Sequence, residues 1–279
     1  MTASPTWALR VCVWIYPSPV FSARCMACLV MAMEHSTIPI FRRQAGLAPR
    51  AVAIGDFNLD GYLDMAVAFY CTDFFGCTGL VNVYLGTGDG NFQDPLNYIW
   101  GRNALSISVG DFNGDGKPDL AIGDQFGGPE TVTVLLGNGD GTFQIGAPFA
   151  FSVSFVVGDF NGDGKSDLVS VSGTNSIALL LGNDGGTFQP PININVSPGR
   201  LAAADFKCDG KLDVAVLRPD GTTVLLGDEN GKFCAVHGSD VVSGVLAVGD
   251  FNNDGKPDLA ADDGSNVTVF LNALHGSCH

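Results

Sequence analysis

Five times between residues 56 and 258 the chain repeats one short pattern: Asp, Phe, a polar or charged residue, any residue, Asp, Gly, two variable residues, Asp. The first aspartates of the copies are Asp56, Asp111, Asp159, Asp205 and Asp250, spaced 55, 48, 46 and 45 residues apart. Each acidic stretch sits between two short apolar runs, as in "SISVG" before residue 111 and "DLAIG" after residue 118. A third run such as "TVTVLLG" follows, then a Gly/Asn/Asp turn, then Phe and a polar segment that contains proline in most copies. Runs of four to seven Val, Leu and Ile residues bounded by turn formers are strands. Four strands in about 45 residues are one β-propeller blade. No stretch from 45 to 272 sustains a helical period. The expected fold is therefore all-β, a propeller of about five four-stranded blades over residues 38–273, with a leader at 1–37 and a tail at 274–279.

The fifth unit stops after its third run, "NVTVFLN". The segment "IPIFRRQAGLAP" (38–49) stands where a fourth strand falls in the other units, because Phe41 precedes Asp56 by 15 residues and Phe143 precedes Asp159 by 16. The expectation is that this N-terminal strand completes the last blade and removes an open sheet edge. The competing expectation is an arc of a longer ring.

Composition narrows the partners. Asp and Glu number 29 against 14 Lys and Arg, for a formal net charge of −15. No basic cluster is present to hold nucleic acid or anionic lipid. Fifteen of the 29 acidic residues are the loop aspartates. Oxygen-bearing side chains at alternate positions, a glycine turn and a returning carboxylate suit calcium, which takes six to eight hard oxygen ligands. They are not EF-hands, which need Glu eleven residues after the first Asp; here that position holds Val67, Ile122, Ser170, Val216 and Ala261. A single copy would be an ordinary Asx-rich turn. Five copies favour the cation.

The stretch "GDFNGDGKPDLAI…VTVLLGNGDGTFQ" resembles the FG-GAP/VCBS repeat, the blade unit of integrin-α-like propellers. The resemblance spans residues 38–272 and implies that the loop between the first two strands of each blade binds calcium. By position, the implied ligands are Asp56, Asn58, Asp60 and Asp64; Asp111, Asn113, Asp115 and Asp119; Asp159, Asn161, Asp163 and Asp167; and Asp250, Asn252, Asp254 and Asp258. The fourth loop places Lys207 at the Asn position among Asp205, Asp209 and Asp213, so a weak or absent site is expected there and about four ions per chain. Five blades depart from the seven common in this family.

The repeated phenylalanines (57, 112, 160, 206 and 251, with 92, 143, 188 and 233) read as packing between neighbouring sheets. Irregular segments on the opposite face bring Tyr70, Asp73, Phe74, Phe75, Tyr98, Trp100, Arg102, Gln125 and Phe126, either a partner-binding platform or local packing. No catalytic constellation stands out: the histidines at 35, 237, 275 and 279 fit no motif, and there is no H-E-x-x-H or G-x-S-x-G. The leader carries Arg10 and two apolar patches, resembling an export signal or a misassigned start; Pro17, Pro19 and Arg24 make it a poor membrane span. Cys71 and Cys77 bracket the longest loop and either pair or stay free. The expected function is a calcium-stabilised module, secreted or at the cell surface, binding a protein or glycan; the alternatives are a lectin-like carbohydrate binder and a propeller-based lyase or hydrolase.

Overall fold

The computed structural model describes residues 10–11, 29–30, 47–71, 79–100, 103–125, 129–173, 175–218, 220–228, 230–237, 246–262 and 266–272. The described residues contain strands and turns and no helix. Five antiparallel sheets follow one another along the chain, each joining its strands in sequence order. Blade 1 is Leu47–Gly55, Asp64–Cys71, Gly79–Tyr84 and Leu96–Trp100. Blade 2 is Ala104–Gly110, Asp119–Asp124, Thr131–Gly137 and Phe143–Phe149. Blade 3 is Phe155–Gly158, Asp167–Ser172, Ser176–Leu180 and Ile192–Ile194. Blade 4 is Arg200–Ala204, Asp213–Arg218, Gly221–Gly227 and Phe233–His237. Blade 5 has three strands among the described residues, Leu246–Gly249, Asp258–Asp262 and Val267–Phe270. A separate two-stranded pairing joins Arg10–Val11 to Leu29–Val30.

Residues 38–46, expected as the outer strand of blade 5, lie outside the described residues. The end of that segment, residues 47–49, belongs to the inner strand of blade 1, which shifts register between Pro49 and Ala51. The inner strands of blades 1 to 4 converge on a central channel of about 410 Å³, walled by residues such as Val52, Ile107, Val109 and Val157.

Period-two alternation sorts each sheet into two faces, and the faces interlock in one direction. The face of blade 1 carrying Ala66, Ala68, Val81 and Val83 packs on Leu120, Ile122 and Leu135 of blade 2. The same relation joins Ala121, Val132 and Val134 to Leu168 and Leu180, then Val169, Ile177 and Leu179 to Val214, Val216 and Leu225. It joins Ala215 and Leu217 to Leu259, Ala261 and Phe270 at the fourth seam. At the first two seams Ala and Val on one side receive Leu and Ile from the other, while at the third Val, Ile and Leu meet Val and Leu of similar size; each way fills the space between stacked sheets.

Phe57, Phe112, Phe160 and Phe206 are buried at these seams as expected. Phe251, expected to pack in the same way, is 50% exposed because no described blade follows it. Phe57 meets Phe143 edge-on with ring centroids 5.5 Å apart; Phe112 meets Phe188 at 5.8 Å and Phe160 meets Phe233 at 5.9 Å. In each pair the first ring comes from an acidic loop and the second from the next blade: Phe143 and Phe233 open its outer strand, and Phe188 sits in an isolated bridge to Gly182 ahead of it. Such pairs add about 0.5–1.5 kcal/mol beyond area burial.

Blade geometry also dictates four glycines at the end of the third strand. A Cβ on Gly137 would stand 2.2 Å from the Pro118 carbonyl oxygen, and one on Gly86 would stand 2.2 Å from that of Leu63. Gly182 and Gly227 meet backbone oxygens at 2.7 and 2.3 Å. In blade 5 the equivalent residue is Asn272, whose side-chain amide donates to the Phe206 carbonyl. Two substitutions test these contacts by calorimetric melting. Phe112→Ala is expected to cost about 3–5 kcal/mol. Gly137→Ala is expected to lower the melting temperature although alanine is the better strand former, because backbone must move to admit the methyl group.

Candidate metal centre

The five acidic loops fold alike, and their own amides explain why. In every loop the first Asp accepts the amide of the residue four positions on through Oδ1 and that of the glycine five positions on through Oδ2. The Oδ1 distances are 3.1, 3.2, 3.1, 3.0 and 3.0 Å for Asp56, Asp111, Asp159, Asp205 and Asp250. The Oδ2 distances are 2.9 Å to Gly61 and 2.8 Å to Gly116, Gly164, Gly210 and Gly255. The second Asp turns the chain again by accepting the amide two residues later, as Asp115 does from Lys117 at 3.0 Å. These nested Asx turns force a left-handed residue at the fourth position, which is Gly114 and Gly162 in two loops but Leu59 (φ 59°) and Cys208 (φ 58°) in two others.

The third aspartate has a second role that spacing alone did not reveal. Asp64, Asp119, Asp167, Asp213 and Asp258 are at most 1% exposed. Oδ2 of Asp119 accepts the Phe112 amide at 2.8 Å, and Oδ1 accepts the Gly137 amide at 2.7 Å. The same clamp holds Phe57 and Gly86 on Asp64, Phe160 and Gly182 on Asp167, and Phe251 and Asn272 on Asp258. One carboxylate thus ties the acidic loop to the ends of the second and third strands. Burial pushes Asp119 and Asp167 up to about 6, against the lowering by their two amide donors, and it raises Asp64 and Asp213 as well.

The donor set fits a hard divalent cation. Three carboxylates and an Asn oxygen share each of four loops, each clamped carboxylate oxygen retains a second acceptor direction, and a Cβ at Gly61, Gly116, Gly164 or Gly255 would meet nothing within 4 Å. An ammonium group answers the same negative charge in two of them. Lys117 Nζ lies 3.3 Å from Asp115 Oδ2, and Lys165 Nζ lies 3.6 Å from Asp163 Oδ2 and 3.3 Å from Asp184 Oδ1. Among the described residues no three His, Cys, Asp or Glu side chains converge as a preformed metal cage. Asn58, Asn161 and Asn252 instead turn their Nδ2 groups onto the second aspartate, at 2.8, 3.2 and 3.1 Å.

Loop 4 departs where the sequence departs. Lys207 Nζ pairs with Asp209 Oδ2 at 2.9 Å, and the Lys207 hydrogen bond and charge hold the Asp209 carboxyl below its usual range. The clamp shifts by one residue too, since Asp213 accepts the amide of Lys207 rather than that of Phe206.

On the opposite face the expected platform residues separate. Tyr98 is spent on packing: its Oη accepts the Phe143 amide at 2.9 Å and its ring stands 5.9 Å from that of Phe143. Tyr70 is half-buried with the Arg50 guanidinium 5.3 Å from its ring centre. Gln125 is exposed at the end of blade 2's second strand. Asp73, Phe74, Phe75, Arg102, Phe126 and the Trp100 side chain lie outside the described residues, as does Cys77. Cys208 and Cys234 are free thiols. A feature that no motif announced is an open cavity of about 500 Å³ between blades 2 and 3, lined by Pro129, Glu130, Phe151, Ser152 and Ser172. Its polar and aromatic lining comes from residues scattered over three connections. Among the described residues no helix is long and apolar enough to cross a membrane.

Comparison with known proteins follows these features. The bovine (Bos taurus) phosphatidylinositol-glycan-specific phospholipase D is 36% identical over 84 residues, 27% of this chain and 10% of that protein. The chain thus spans a tenth of the length of that curated relative. Among solved structures, an Agrocybe aegerita lectin that recognises non-reducing terminal N-acetylglucosamine superposes with a TM-score of 0.54 at 19% identity, over 82% of this chain and 66% of the lectin. An exotype rhamnogalacturonan lyase superposes with a TM-score of 0.50 at 15% identity, over 81% of this chain and 48% of the lyase. Both likenesses concern the fold. A family profile for the FG-GAP-like repeat matches residues 56–122, 111–169, 159–216 and 205–261, each match running from one acidic loop into the next. With the propeller fold and the acidic loops in place, this chain belongs to the FG-GAP-like repeat family.

Proposed function

We propose that the chain is a calcium-stabilised propeller module that works outside the cell by binding a glycan or a protein. The observation that carries this reading is the fivefold recurrence of one acidic loop with one amide pattern, broken only where Lys207 enters. Charge repulsion among three carboxylates in each loop is a standing cost without a cation. Millimolar extracellular calcium suits loops of modest affinity. In loops 1, 2, 3 and 5 the ion would be held by the aspartates and the asparagine named above; in loop 4 the Lys207 ammonium takes its place. Bound calcium supplies positive charge at the acidic face and stiffens the link between the first two strands.

Binding is favoured over catalysis because the loop carboxylates are engaged with the backbone amides of their own loop and of their own blade's third strand. The opposite face, with its cavity beside Glu130 and Phe151, is the surface proposed for the partner. Phe151 supplies a ring for stacking on a sugar or an apolar side chain, and Glu130 and Ser152 supply polar contacts. A glycan array probed with the calcium-loaded chain tests the carbohydrate form of this reading. Selective binding abolished by Phe151→Ala or Ser152→Trp supports it; silence across the array moves the partner to the protein class.

Two measurements test the metal. Melting in calcium is expected to exceed melting in chelator, with about four ions per chain; ligand linkage gives about 2.7 kcal/mol at a hundredfold excess over Kd. Lys207→Asn is expected to raise the stoichiometry towards five. An unchanged melting temperature sinks the calcium reading.

The second measurement is pH. Asp119 and Asp167 have folded pKa values of about 6, above their ordinary value of 3.8, so the folded chain binds their protons more tightly than the unfolded chain. Their contribution to stability is therefore greatest below about 4 and is lost as pH rises through about 6. In chelator the melting temperature should climb as pH falls from 7 to 5. Calcium should flatten or reverse that slope, because protons and the ion compete for the same carboxylates.

A further inference from the structure

The cavity between blades 2 and 3 opens where the repeat changes one residue. Ser172 stands five residues after the clamping Asp167, and Arg218 stands five residues after Asp213, so the two hold the same place in successive blades. Arg218 fills its seam. Its Nε donates to Asp220 Oδ1 at 2.9 Å, and its Nη1 donates to the Ser197 carbonyl at 3.5 Å and to Thr223 Oγ1 at 3.2 Å. Ser172 is too short to reach across in this way. The space it leaves is about 500 Å³, the scale of a small-molecule pocket rather than of a flat protein interface.

The walls of this cavity are held in place. Glu130 Oε2 accepts the Val153 amide at 3.0 Å, which ties the link between the two blades to the rim. The Val153 carbonyl accepts from Ser106 Oγ at 2.7 Å, and the Ser152 carbonyl accepts from Ser170 Oγ at 3.2 Å, so the link is fixed to both blades. Ser152 Oγ accepts the Ser154 amide at 3.2 Å and keeps its hydroxyl hydrogen to donate. Glu130 Oε1 keeps its acceptor capacity, and Phe151 adds a half-buried ring.

The charge around the cavity has one sign. None of its lining residues is basic. From Pro118 to Gly199, the stretch that supplies all of them, eight residues are acidic and one, Lys165, is basic. Lys165 belongs to the acidic-loop face, where Asp163 and Asp184 hold its Nζ at 3.6 and 3.3 Å. The described arginines of the cavity's own face belong to other blades: Arg50 lies over the Tyr70 ring of blade 1, and Arg200 and Arg218 are in blade 4.

We propose, on the reading of this face as a glycan surface, that the cavity takes a sugar residue without an acidic group and that Glu130 sets this selection. Sugar hydroxyls are donors that a carboxylate accepts strongly, and the Phe151 ring offers its face to the C–H side of the sugar. A uronate or a sulfated sugar meets a second anion at Glu130, inside a field that is negative over both blades. It would shed water there without gaining a cation in exchange, which is discrimination by repulsion.

The test is an array of oligosaccharides ending in neutral hexoses or N-acetylhexosamines, each beside its uronate or sulfated counterpart, probed with the calcium-loaded chain at physiological salt. Two variants accompany it, with melting recorded for each. Glu130→Gln keeps an oxygen for the Val153 amide and removes the charge; Ser172→Arg refills the cavity as Arg218 fills its own seam. Neutral ends are expected to bind about tenfold or more tightly than their acidic counterparts. Glu130→Gln is expected to narrow that ratio, and Ser172→Arg to abolish neutral binding without lowering the melting temperature. Acidic ends bound as well as neutral ones overturn the charge selection and leave the glycan reading standing. A ratio unchanged in Glu130→Gln takes the selection away from that residue, and neutral binding unchanged in Ser172→Arg takes the sugar out of this cavity; either result overturns the proposal. Silence across the whole array sinks it together with the carbohydrate form of the proposed function.

Discussion

Everything regular in this propeller hangs on one buried aspartate per blade. Asp119, with no exposed surface, receives the Phe112 amide on one oxygen and the Gly137 amide on the other. Those two bonds join the loop after the first strand to the end of the third, across the strand that carries the aspartate itself. Charged acceptors make strong hydrogen bonds, and a buried carboxylate stripped of one donor costs a few kcal/mol. The phenylalanine is pinned by its backbone at the place from which its ring reaches the next blade. Sheet assembly and seam assembly therefore share an anchor. The glycine requirement at residues 86, 137, 182 and 227 follows from the same anchor, because the amide must come within hydrogen-bond reach while the neighbouring carbonyl crowds its Cα.

That anchor is bound to the electrostatics of the acidic loops. Desolvation raises the clamping aspartates while the loop aspartates beside them add repulsion, and each protein amide or lysine donor offsets part of the cost. A calcium ion would offset more, at four loops of five. Loop 4 shows the other solution to the same problem, an internal ammonium at 2.9 Å. Charge compensation is thus a condition of the fold before it is a matter of function.

The repeat was legible in the sequence because every element of it is local. The Asp-to-Asp spacing announced blades, the phenylalanines announced seams, and Lys207 announced an exception, all within stretches of ten or so residues. What escaped the sequence is non-local. Asp64 meets Gly86 over 22 residues, and a third aspartate read as a closing ligand proves also to be a clamp. Tyr98 looked like a loop aromatic until Phe143, 45 residues away, claimed its hydroxyl and its ring. The cavity beside Glu130 and Phe151 draws runs of two or three residues from separate connections, which no motif can register. The exposure of Phe251 was equally invisible, since its local pattern matches that of the four buried phenylalanines; only a neighbouring blade distinguishes them.

The clamp also says how such a gene can grow. A duplicated segment yields a working blade only if it carries the first aspartate, the buried aspartate and the third-strand amide that the latter accepts together, as residues 111 to 137 do with Gly137 and residues 250 to 272 do with Asn272. Recombination within that span severs a carboxylate from its amide and strands a charge in the interior. Crossovers in the outer strand, or in the link leading to the next inner strand, leave every clamp intact. The variation in spacing between copies, from 45 to 55 residues, lies mostly inside the clamp, in the connection between the second and third strands: the buried aspartate and its third-strand partner stand 22, 18, 15, 14 and 14 residues apart in blades 1 to 5. The boundary of inheritance in this chain need not coincide with the boundary of its sheets.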